Sequence, residues 1–488
     1  LPTLPQATVD TTMPTVTGST FTVNAGGNLQ TAINSAAAAN ANLTHLIVVE
    51  AGATFQGLFT LASRAAGTGW VLIRSSLSSN LPDGERVFPS DVANMPTLVG
   101  DNTGNVGVAI NTAAGAHRYR LIGLHIKPFA TVASFNVVEF TEGDHFIVDR
   151  CWIRGGNTGV GSNYTRRGVS MQAEHIAVIH SYVNDMIAKD SQSPTDTQAL
   201  LSINSAGPLL VDNNYLEATG ENMMCGGGEP QDAAHIPQDI TITRNHFKKP
   251  PTWQGGDFFT KNLLEFKLGL RVLVERNIFE YCWTDNQAGW GLVLTVRNEN
   301  GNATFSEVSD ITIRYNVFRH CAGGMLSFGS SDVVAFPTQS TKRWKIHDNL
   351  WYDVSDALTT GANGRWWQHG TGGTPVGTDY NMSHNTVANS NDTSRSFKLI
   401  NNTEYRDNII RHGGNGVSGN GTATGDPTLD SYFPATVFNK NVLYSGGNPS
   451  FYAGHPGSFF PADIVAVGFE NEGANDYRLA ASSPYKNG

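Results

Sequence analysis

The stretch Val272-Leu273-Val274-Glu275-Arg276-Asn277-Ile278-Phe279 decides the fold, because the same phrase returns along most of the chain. It consists of alternating apolar residues, then an asparagine, then an apolar or aromatic pair. Further on it reads Ile311-Thr312-Ile313-Arg314-Tyr315-Asn316-Val317-Phe318, and again Lys345-Ile346-His347-Asp348-Asn349-Leu350-Trp351. Apolar residues at every second place are typical of a strand with one buried face. The recurrence therefore predicts a repeat protein built from short strands.

The asparagine position of this phrase recurs at a spacing of roughly 32 residues, which lies outside the leucine-rich repeat range. It is occupied by Cys151, Ser181, Asn214, Asn245, Asn277, Asn316, Asn349, Asn385, Asn408 and Asn441. The units also lack the helical periodicity of ankyrin or tetratricopeptide repeats. Each unit instead fits one coil of a parallel β-helix with loops of variable length.

We interpret the repeated asparagines as structural residues rather than as a site. At a tight bend between two strands, asparagine tolerates left-handed backbone angles. Stacked coils lie about 4.8 Å apart, so successive asparagine side chains can hydrogen-bond to one another as a ladder.

Composition argues against two classes of partner. The formal net charge is −10, charged residues make up 15% of the chain, and no long lysine or arginine cluster occurs, so nucleic acid is disfavoured. No run of about 20 apolar residues is present, so we expect no membrane span. The chain opens Leu1-Pro2-Thr3, which we interpret as a mature terminus after removal of a signal peptide, and we therefore expect a secreted protein.

The two ends of the chain differ from the repeats. Residues 1–24 are expected to form an N-terminal leader, and residues 25–488 one parallel β-helix domain. Residues 29–39 predict a short amphipathic helix that caps the open end of the solenoid. Cys282 and Cys321 stand at matching places of two consecutive repeats; we favour buried thiols, although a disulfide stays open because geometry must decide it.

The repeats, the asparagine turn and the capping helix resemble the right-handed parallel β-helix, or pectate-lyase-like, superfamily, and above all secreted bacterial parallel β-helix repeat proteins. The likeness covers roughly residues 25–485 and implies an all-β, single-stranded right-handed solenoid. Members include polysaccharide lyases, glycoside hydrolases, pectin esterases, uronan epimerases and phage tailspikes. The resemblance therefore implies an extracellular polysaccharide as the partner of a secreted, monomeric protein, while the fold leaves the reaction open.

Motifs of the best-known activities of that superfamily are missing from the sequence. The Gly-His-Gly and Arg-Ile-Lys motifs of polygalacturonases do not occur, nor does the Gly-x-x-Asp-Phe-Ile-Phe-Gly motif of pectin esterases. The segment Val148-Asp149-Arg150-Cys151-Trp152 does not match the Trp-Ile-Asp-His pattern of pectate lyases. The site must therefore be sought in the repeat itself.

A second strand of each repeat aligns Leu263-Leu264-Glu265-Phe266-Lys267 with Val293-Leu294-Thr295-Val296-Arg297. The apolar second and fourth places should point inward, and the third and fifth outward. Lys267 and Arg297 then lie on neighbouring coils about 5 Å apart, with Glu265 on the same face. Facing like charges are destabilising unless an anion offsets them.

This arrangement suits β-elimination on a uronate. A neighbouring cation favours the neutral form of Lys267, which could then act as the base. Arg297 could stabilise the developing enolate charge. The Glu265-Phe266-Lys267 stretch faintly resembles calcium-assisted β-helix lyases that act on alginate and chondroitin-type chains. Candidate calcium ligands are Glu221, Asn222, Glu229 and Glu265.

Two other functions remain open. A glycoside hydrolase would use paired carboxylates, for which Asp285 with Glu229, or Glu221 with Glu265, are candidates. A non-catalytic glycan-binding or surface-structural β-helix would keep the charged residues only as an exposed salt-bridged ladder.

Tryptophans in or beside the long polar loops could stack on sugar rings, because an exposed indole supplies contact area at low entropic cost. The candidate substrate-binding residues are Trp253, Trp290, Trp366, Trp367 and His369. The alternative is that these aromatic residues anchor the loops onto the solenoid and that His369 is a structural hydrogen-bonding residue.

Overall fold

Short strands that pair in parallel with the equivalent strands of the neighbouring repeats form the main sheets of the protein. This computed structural model describes residues 1–101, 107–129, 133–156, 164–191, 196–370 and 375–486. Two compact units are present. The N-terminal unit comprises residues 5–225 and 234–259, and the C-terminal unit comprises residues 1–4, 226–233 and 260–488.

The N-terminal unit has three parallel sheets, called A, B and C. Its sheet A strands are Thr20–Val23, His45–Val49, Val71–Ser75, His117–Ile122, Asp144–Asp149, Glu174–Ile179, Leu209–Asp212 and Gln238–Thr243. Its sheet B strands are Thr54–Gln56, Thr97–Val99, His125–Lys127, Trp152–Arg154, Tyr182–Met186, Tyr215–Ala218 and His246–Lys248. Its sheet C strands are Phe59–Leu61, Ile110–Thr112, Ser134–Phe140, Thr165–Met171, Gln198–Ser202 and Glu221–Cys225.

The C-terminal unit repeats the same A, B and C pattern. Its sheet A strands are Gly269–Glu275, Val308–Arg314, Lys342–His347, Gly377–Ser383, Ile400–Arg406 and Val437–Asn439. Its sheet B strands are Ile278–Cys282, Val317–Cys321, Leu350–Val354, Thr386–Asn389, Ile409–Arg411 and Val442–Tyr444. Its sheet C strands are Leu264–Phe266, Trp290–Leu294, Gly323–Ser327, Trp367–His369, Ser394–Ser396 and Val417–Gly419. An antiparallel pair, Phe469–Asn471 with Asp476–Leu479, follows them.

Helices are few and short. The α-helices are Leu29–Ala38 and Asp426–Tyr432. The 3₁₀ helices are Ser78–Asn80, Pro89–Asn94, Ala233–His235, Pro251–Trp253, Pro449–Tyr452, Val465–Val467 and Glu472–Ala474. Helix Leu29–Ala38 begins at Asn28, whose side chain accepts a hydrogen bond from the Thr31 amide, and it buries its apolar face. The predicted N-terminal helix is therefore confirmed.

The register of the strands confirms the predicted fold class, a right-handed parallel β-helix. Strand Gly269–Glu275 pairs in parallel with Val308–Arg314, and Ile278–Cys282 pairs with Val317–Cys321. Trp290–Leu294 pairs with Gly323–Ser327 in the same way. The chain thus passes from sheet A to B to C and returns to A one coil further on.

The predicted asparagine ladder is confirmed. Asn316 donates from its side-chain Nδ2 to Asn349 Oδ1 at 2.9 Å, and Asn277 donates to Asn316 Oδ1 at 3.0 Å. Asn316 Nδ2 also donates to the Val274 carbonyl at 2.9 Å, which ties the ladder to the previous coil. Buried amides are thereby satisfied at the corner between sheets A and B.

The left-handed backbone angle expected of these asparagines belongs to the residue before each of them. Tyr315 has φ 57°, Asp348 has φ 54° and Lys440 has φ 56°. The corner therefore divides two tasks between neighbouring residues. The first residue turns the chain, and the asparagine holds the coils together.

Aromatic side chains stack in line inside the C-terminal unit. The ring centroids of Phe279 and Phe318 are 4.3 Å apart, and those of Phe318 and Trp351 are 3.6 Å apart. Cys282 and Cys321 are register partners, and both are buried free thiols, as favoured from the sequence. In-register stacking of like residues thus fills the core.

Residues 9–11 of the N-terminal segment pack onto sheet A of the N-terminal unit. Val9 is buried in a cluster with Ile147, Ala177 and Ile179. Arg120 donates to the Thr11 carbonyl at 2.8 Å. These contacts cover apolar residues that point outward from the sheet.

A buried carboxyl group lies on sheet B of the N-terminal unit. Glu217 accepts a hydrogen bond from the Tyr215 hydroxyl at 2.7 Å and one from the Asp185 amide at 3.2 Å. Burial raises the pKa of Glu217 from its ordinary 4.5 to about 7. The folded protein therefore holds this proton more tightly than the unfolded chain does.

Replacing Asn316 by alanine should lower the free energy of unfolding by about 3 kcal/mol, because several buried polar groups lose their hydrogen bonds at once. The exposed Asn401 on strand Ile400–Arg406 offers a matched control, and Asn401→Ala should change stability by less than about 0.5 kcal/mol. Equilibrium denaturation of both variants gives the comparison. Equal losses would show that the ladder contributes nothing special.

Glu217 should make stability fall as pH rises from about 4.5 to about 7, because the unfolded chain releases this proton first. Across that window the free energy of unfolding of Glu217→Gln should rise by about 3 kcal/mol relative to that of the unsubstituted protein, since the glutamine amide carries no charge. Denaturant unfolding of both proteins at several pH values measures this. Curves that stay parallel across the window would contradict the raised pKa.

Candidate functional site

A cleft of about 330 Å³ opens on the outer face of sheet C in the C-terminal unit. Its lining includes Glu265, Lys267, Trp290, Arg297 and Asp332. Glu265 lies on strand Leu264–Phe266, and Lys267 follows directly where that strand ends. The three residues assigned catalytic roles from the sequence therefore border the same cleft.

The sequence alignment of the two coils on which that assignment rests is shifted by two residues from the register in the structure. Strand Leu264–Phe266 pairs Leu264 with Leu292, where the alignment had placed Leu294. A shift by an even number of residues keeps each side chain on its face of the sheet, so the outward residues stay outward. Beyond the strands the Arg297 amide donates to the Lys267 carbonyl at 3.2 Å, so these two residues are still neighbours.

The expected facing of two like charges is offset by carboxylates. Lys267 Nζ lies 3.2 Å from Glu299 Oε1 and 3.9 Å from Glu265 Oε1. Arg297 Nη2 lies 2.5 Å from Asp332 Oδ2. Three acidic and two basic side chains thus form one network in and beside the cleft, and its formal charge is negative.

Glu299 and Asp332 belong to this network although the repeat pattern does not reveal them. Both lie in loops, outside the strands that the alignment compares. The one signal in the sequence is that Glu299 follows Arg297 closely, so its side chain could return to the same face. Nothing near Asp332 in the sequence points to Arg297.

Glu265 is the most deeply placed acid of the network, with 3% of its surface exposed. Asn262 Nδ2 donates to its Oε2 at 3.1 Å. The same amide donates to Gln287 Oε1 at 2.5 Å, and Gln287 also lines the cleft. These contacts hold the floor of the cleft in one arrangement.

The expectation of exposed indoles for sugar stacking is wrong for Trp366 and Trp367, which are fully buried. Trp367 Nε1 donates to Ser327 Oγ at 2.8 Å, inside the coil. Trp253 is also buried and packs against Phe258 with ring centroids 5.5 Å apart. Trp366 and Trp367 therefore fill the core at the start of strand Trp367–His369, and only Trp253 has the loop-anchoring role of the alternative interpretation.

His369 and Trp290 differ in their relation to the cleft. His369 is fully buried, its Nδ1 lies 2.9 Å from Ser327 Oγ, and burial lowers its pKa to about 3. A neutral, enclosed imidazole of this kind cannot contact a polysaccharide. Trp290 lines the cleft but is only 3% exposed, so it offers little surface on which a sugar ring could stack.

The predicted calcium ligands do not form a site. Asn222 Oδ1 accepts a hydrogen bond from the buried Lys249 ammonium at 3.0 Å, so this oxygen already faces a cation. Lys249 Nζ also donates to the carbonyls of Ala218, at 2.9 Å, and Thr219, at 3.0 Å. The ammonium of Lys249 therefore occupies the oxygen cage that a metal ion would need.

The acidic residues predicted as calcium ligands or as hydrolase carboxylates accept hydrogen bonds that hold neighbouring segments. Glu229 accepts hydrogen bonds from the amides of Asn300 and Asn302 and clamps that loop. Glu221 accepts a hydrogen bond from Gln198 Nε2 at 2.7 Å in the N-terminal unit, whereas Glu229 lies in the C-terminal unit. Asp285 accepts from the Thr260 amide and hydroxyl, so it also serves a loop.

Fold and cleft together define a parallel β-helix protein with a charged cleft on one sheet. Across the described residues, the structure contains no helix with the length and apolar character needed to cross a membrane.

No protein-family model matches the chain, and no curated protein matches it. Among solved structures, an alginate lyase from Paenibacillus sp. strain FPU-7 is 12% identical, covers 82% of this chain and 98% of its own, and has a TM-score of 0.43. A mannuronic acid specific polysaccharide family 6 lyase from human gut microbiota is 13% identical over 87% of each chain, with a TM-score of 0.42. A family 28 exopolygalacturonase from Yersinia enterocolitica is 11% identical, covers 88% of this chain and 79% of its own, and has a TM-score of 0.36.

Proposed function

We propose that the protein is a polysaccharide lyase that cleaves an acidic glycan by β-elimination in the sheet C cleft of the C-terminal unit. The observation that carries this proposal is the convergence of Lys267, Arg297 and Glu265 on one cleft from two consecutive coils. β-Elimination needs a cation for the uronate carboxylate and a base for the proton beside it; as the glycosidic C–O bond breaks, the leaving oxygen takes a proton from the protonated base or from water. A cation and a base are both present within one cleft.

Arg297 is the proposed partner of the uronate carboxylate. Its guanidinium holds Asp332 at 2.5 Å, and the two side chains are 30% and 25% exposed. A planar guanidinium can bind a carboxylate through two parallel hydrogen bonds. An incoming uronate can therefore share or take over the place of Asp332. Arg297 then lies beside the enolate charge as it develops.

Lys267 is the proposed base. Its ammonium nitrogen lies 3.9 Å from Glu265 Oε1 and 3.2 Å from Glu299 Oε1. Removing the substrate proton requires the neutral amine, so Lys267 must first lose a proton. The rate of β-elimination should therefore rise with pH. Glu265 holds Lys267 in position from the floor of the cleft.

A glycoside hydrolase is the second candidate, and the carboxylates of the network favour it. Glu265 is buried and Asp332 is partly exposed in the same cleft, so the two acids have different surroundings. Different surroundings are what an acid and a base of a hydrolase need. Such an enzyme would act on a chain without requiring uronate residues.

Several properties belong to this proposal. The partner is a polysaccharide, and the protein acts outside the cell as a monomer. Calcium dependence stays a prediction from the sequence, and neither a site nor a step is assigned to the ion. Assays with calcium and with chelator decide that point.

Incubation with a panel of uronate polysaccharides should produce an unsaturated product, followed by its ultraviolet absorbance. Lys267→Ala and Arg297→Ala should each lower the rate at least about 100-fold, because a base and a charge-stabilising group are lost. Lys345→Ala, on sheet A and outside the cleft, should leave the rate unchanged. New reducing ends without the unsaturated product would instead identify a hydrolase. No cleavage of any uronate or neutral glycan would refute both enzymes.

The role of Lys267 has its own test in the pH profile of kcat/KM. Glu299→Gln removes a carboxylate that stabilises the ammonium, so the rising limb should move to lower pH. A structural role for Glu299 would lower the rate at every pH without moving the limb. An unmoved limb would contradict Lys267 as the base.

A further inference from the structure

An acid-histidine dipeptide opens two consecutive strands of sheet A in the N-terminal unit. Asp144-His145 begins strand Asp144–Asp149, and Glu174-His175 begins strand Glu174–Ile179. The two strands pair in parallel with Asp144 directly opposite Glu174. The register of the coils thus places two imidazoles and two carboxylates at one corner of the solenoid.

The side chains converge on Asp144. His145 Nδ1 lies 2.6 Å from Asp144 Oδ2, and His175 Nδ1 lies 2.7 Å from Asp144 Oδ1. The two imidazoles stack with centroids 4.3 Å apart and planes 6° from parallel. One ligand atom from each of the three residues lies within 4.8 Å of the others.

We propose that Asp144, His145 and His175 bind a divalent transition metal ion of the zinc type. Two imidazole nitrogens and one carboxylate oxygen are a common ligand set for zinc, and the same donors also suit cobalt and nickel. Ligand atoms of a tetrahedral zinc site lie about 3.3 Å apart, as metal–ligand bonds of 2.0–2.1 Å require. The three ligand atoms lie within 4.8 Å of one another, so the donors already face a common point.

Charge at the corner supports a cation there. Asp144 and Glu174 face each other on paired strands, and facing like charges are destabilising unless something offsets them. A divalent ion bound at this corner would offset the charge of both carboxylates.

The surroundings fix one ring and leave the site open. The Trp70 ring meets His145 edge-on at 6.1 Å between centroids, which limits the rotation of that imidazole. The side chains of Asp144, His145 and His175 are 42%, 24% and 35% exposed. Three protein ligands at an exposed corner leave coordination positions for water or for an external ligand.

Other histidine-acid pairs lack the third ligand. His320 Nδ1 lies 2.5 Å from Asp353 Oδ2 with similar exposure, but this pair has one histidine only. In the part of the chain that the structure describes, Asp144, His145 and His175 are the one cluster of three such groups. The site is therefore distinct from an ordinary surface ion pair.

Calorimetric titration of the chelator-treated full chain with Zn²⁺ at neutral pH tests the proposal. One Zn²⁺ should bind per chain, and His175→Asn should weaken binding more than tenfold, since even outer-shell losses cost about 10- to 100-fold. His320→Asn is the matched control and should bind as the unsubstituted protein does. Asparagine tolerates the left-handed backbone of both positions, φ 48° at His175 and φ 56° at His320.

The absorption spectrum of bound Co²⁺ gives a second readout. The unsubstituted protein and His320→Asn should show the same visible bands, and Asp144→Asn and His175→Asn should lose them. Unfolding curves in chelator should be alike for all variants, so a loss of binding is not a loss of fold. Absence of Zn²⁺ binding, or equal weakening by His175→Asn and His320→Asn, would overturn the proposal.

Discussion

Every coil of this protein depends on the backbone hydrogen bonds that it makes with the next coil. A strand in a parallel ladder leaves its amides and carbonyls unsatisfied until the equivalent strand of the following coil lies beside it. Strands as short as Leu264–Phe266 have no independent stability. The asparagine ladder adds side-chain bonds at one corner, so the same register is enforced twice in the coils that carry an asparagine there.

This register also creates the cleft. Because equivalent positions stack about 4.8 Å apart, any charge at an outward position meets whatever the next coil carries there. Lys267 and Arg297 come from consecutive coils and are neighbours just beyond the paired strands, where Glu265, Glu299 and Asp332 offset their charges. The proposed chemistry uses the same balance: a substrate carboxylate enters a network in which cations are already paired with exchangeable acids.

The histidine corner follows the same rule with different residues. Asp144-His145 and Glu174-His175 occupy matching places, so two rings stack and share one carboxylate. Stacking of identical side chains is favourable for asparagine amides and aromatic rings but costly for like charges. Places where a parallel β-helix stacks ionisable groups are therefore informative, because something must compensate the charge.

The alternation around Val272–Phe279 and its recurrence with asparagine determined the parallel β-helix, the ladder and the matching of Cys282 with Cys321. The reason is that equivalent residues of consecutive repeats lie beside one another in the stacked coils. The N-terminal helix followed equally from composition. Only the tertiary structure decided the two-residue register of Leu264 against Leu292, the pairing of Arg297 with Asp332 and the burial of Trp366 and His369. Loop length varies between coils, so a sequence alignment of the repeats does not determine the path of a loop back to its strand or the polar side chains that the loop covers. Asn222 shows the consequence: its type suits a metal ion, but the fold places the ammonium of Lys249 against it.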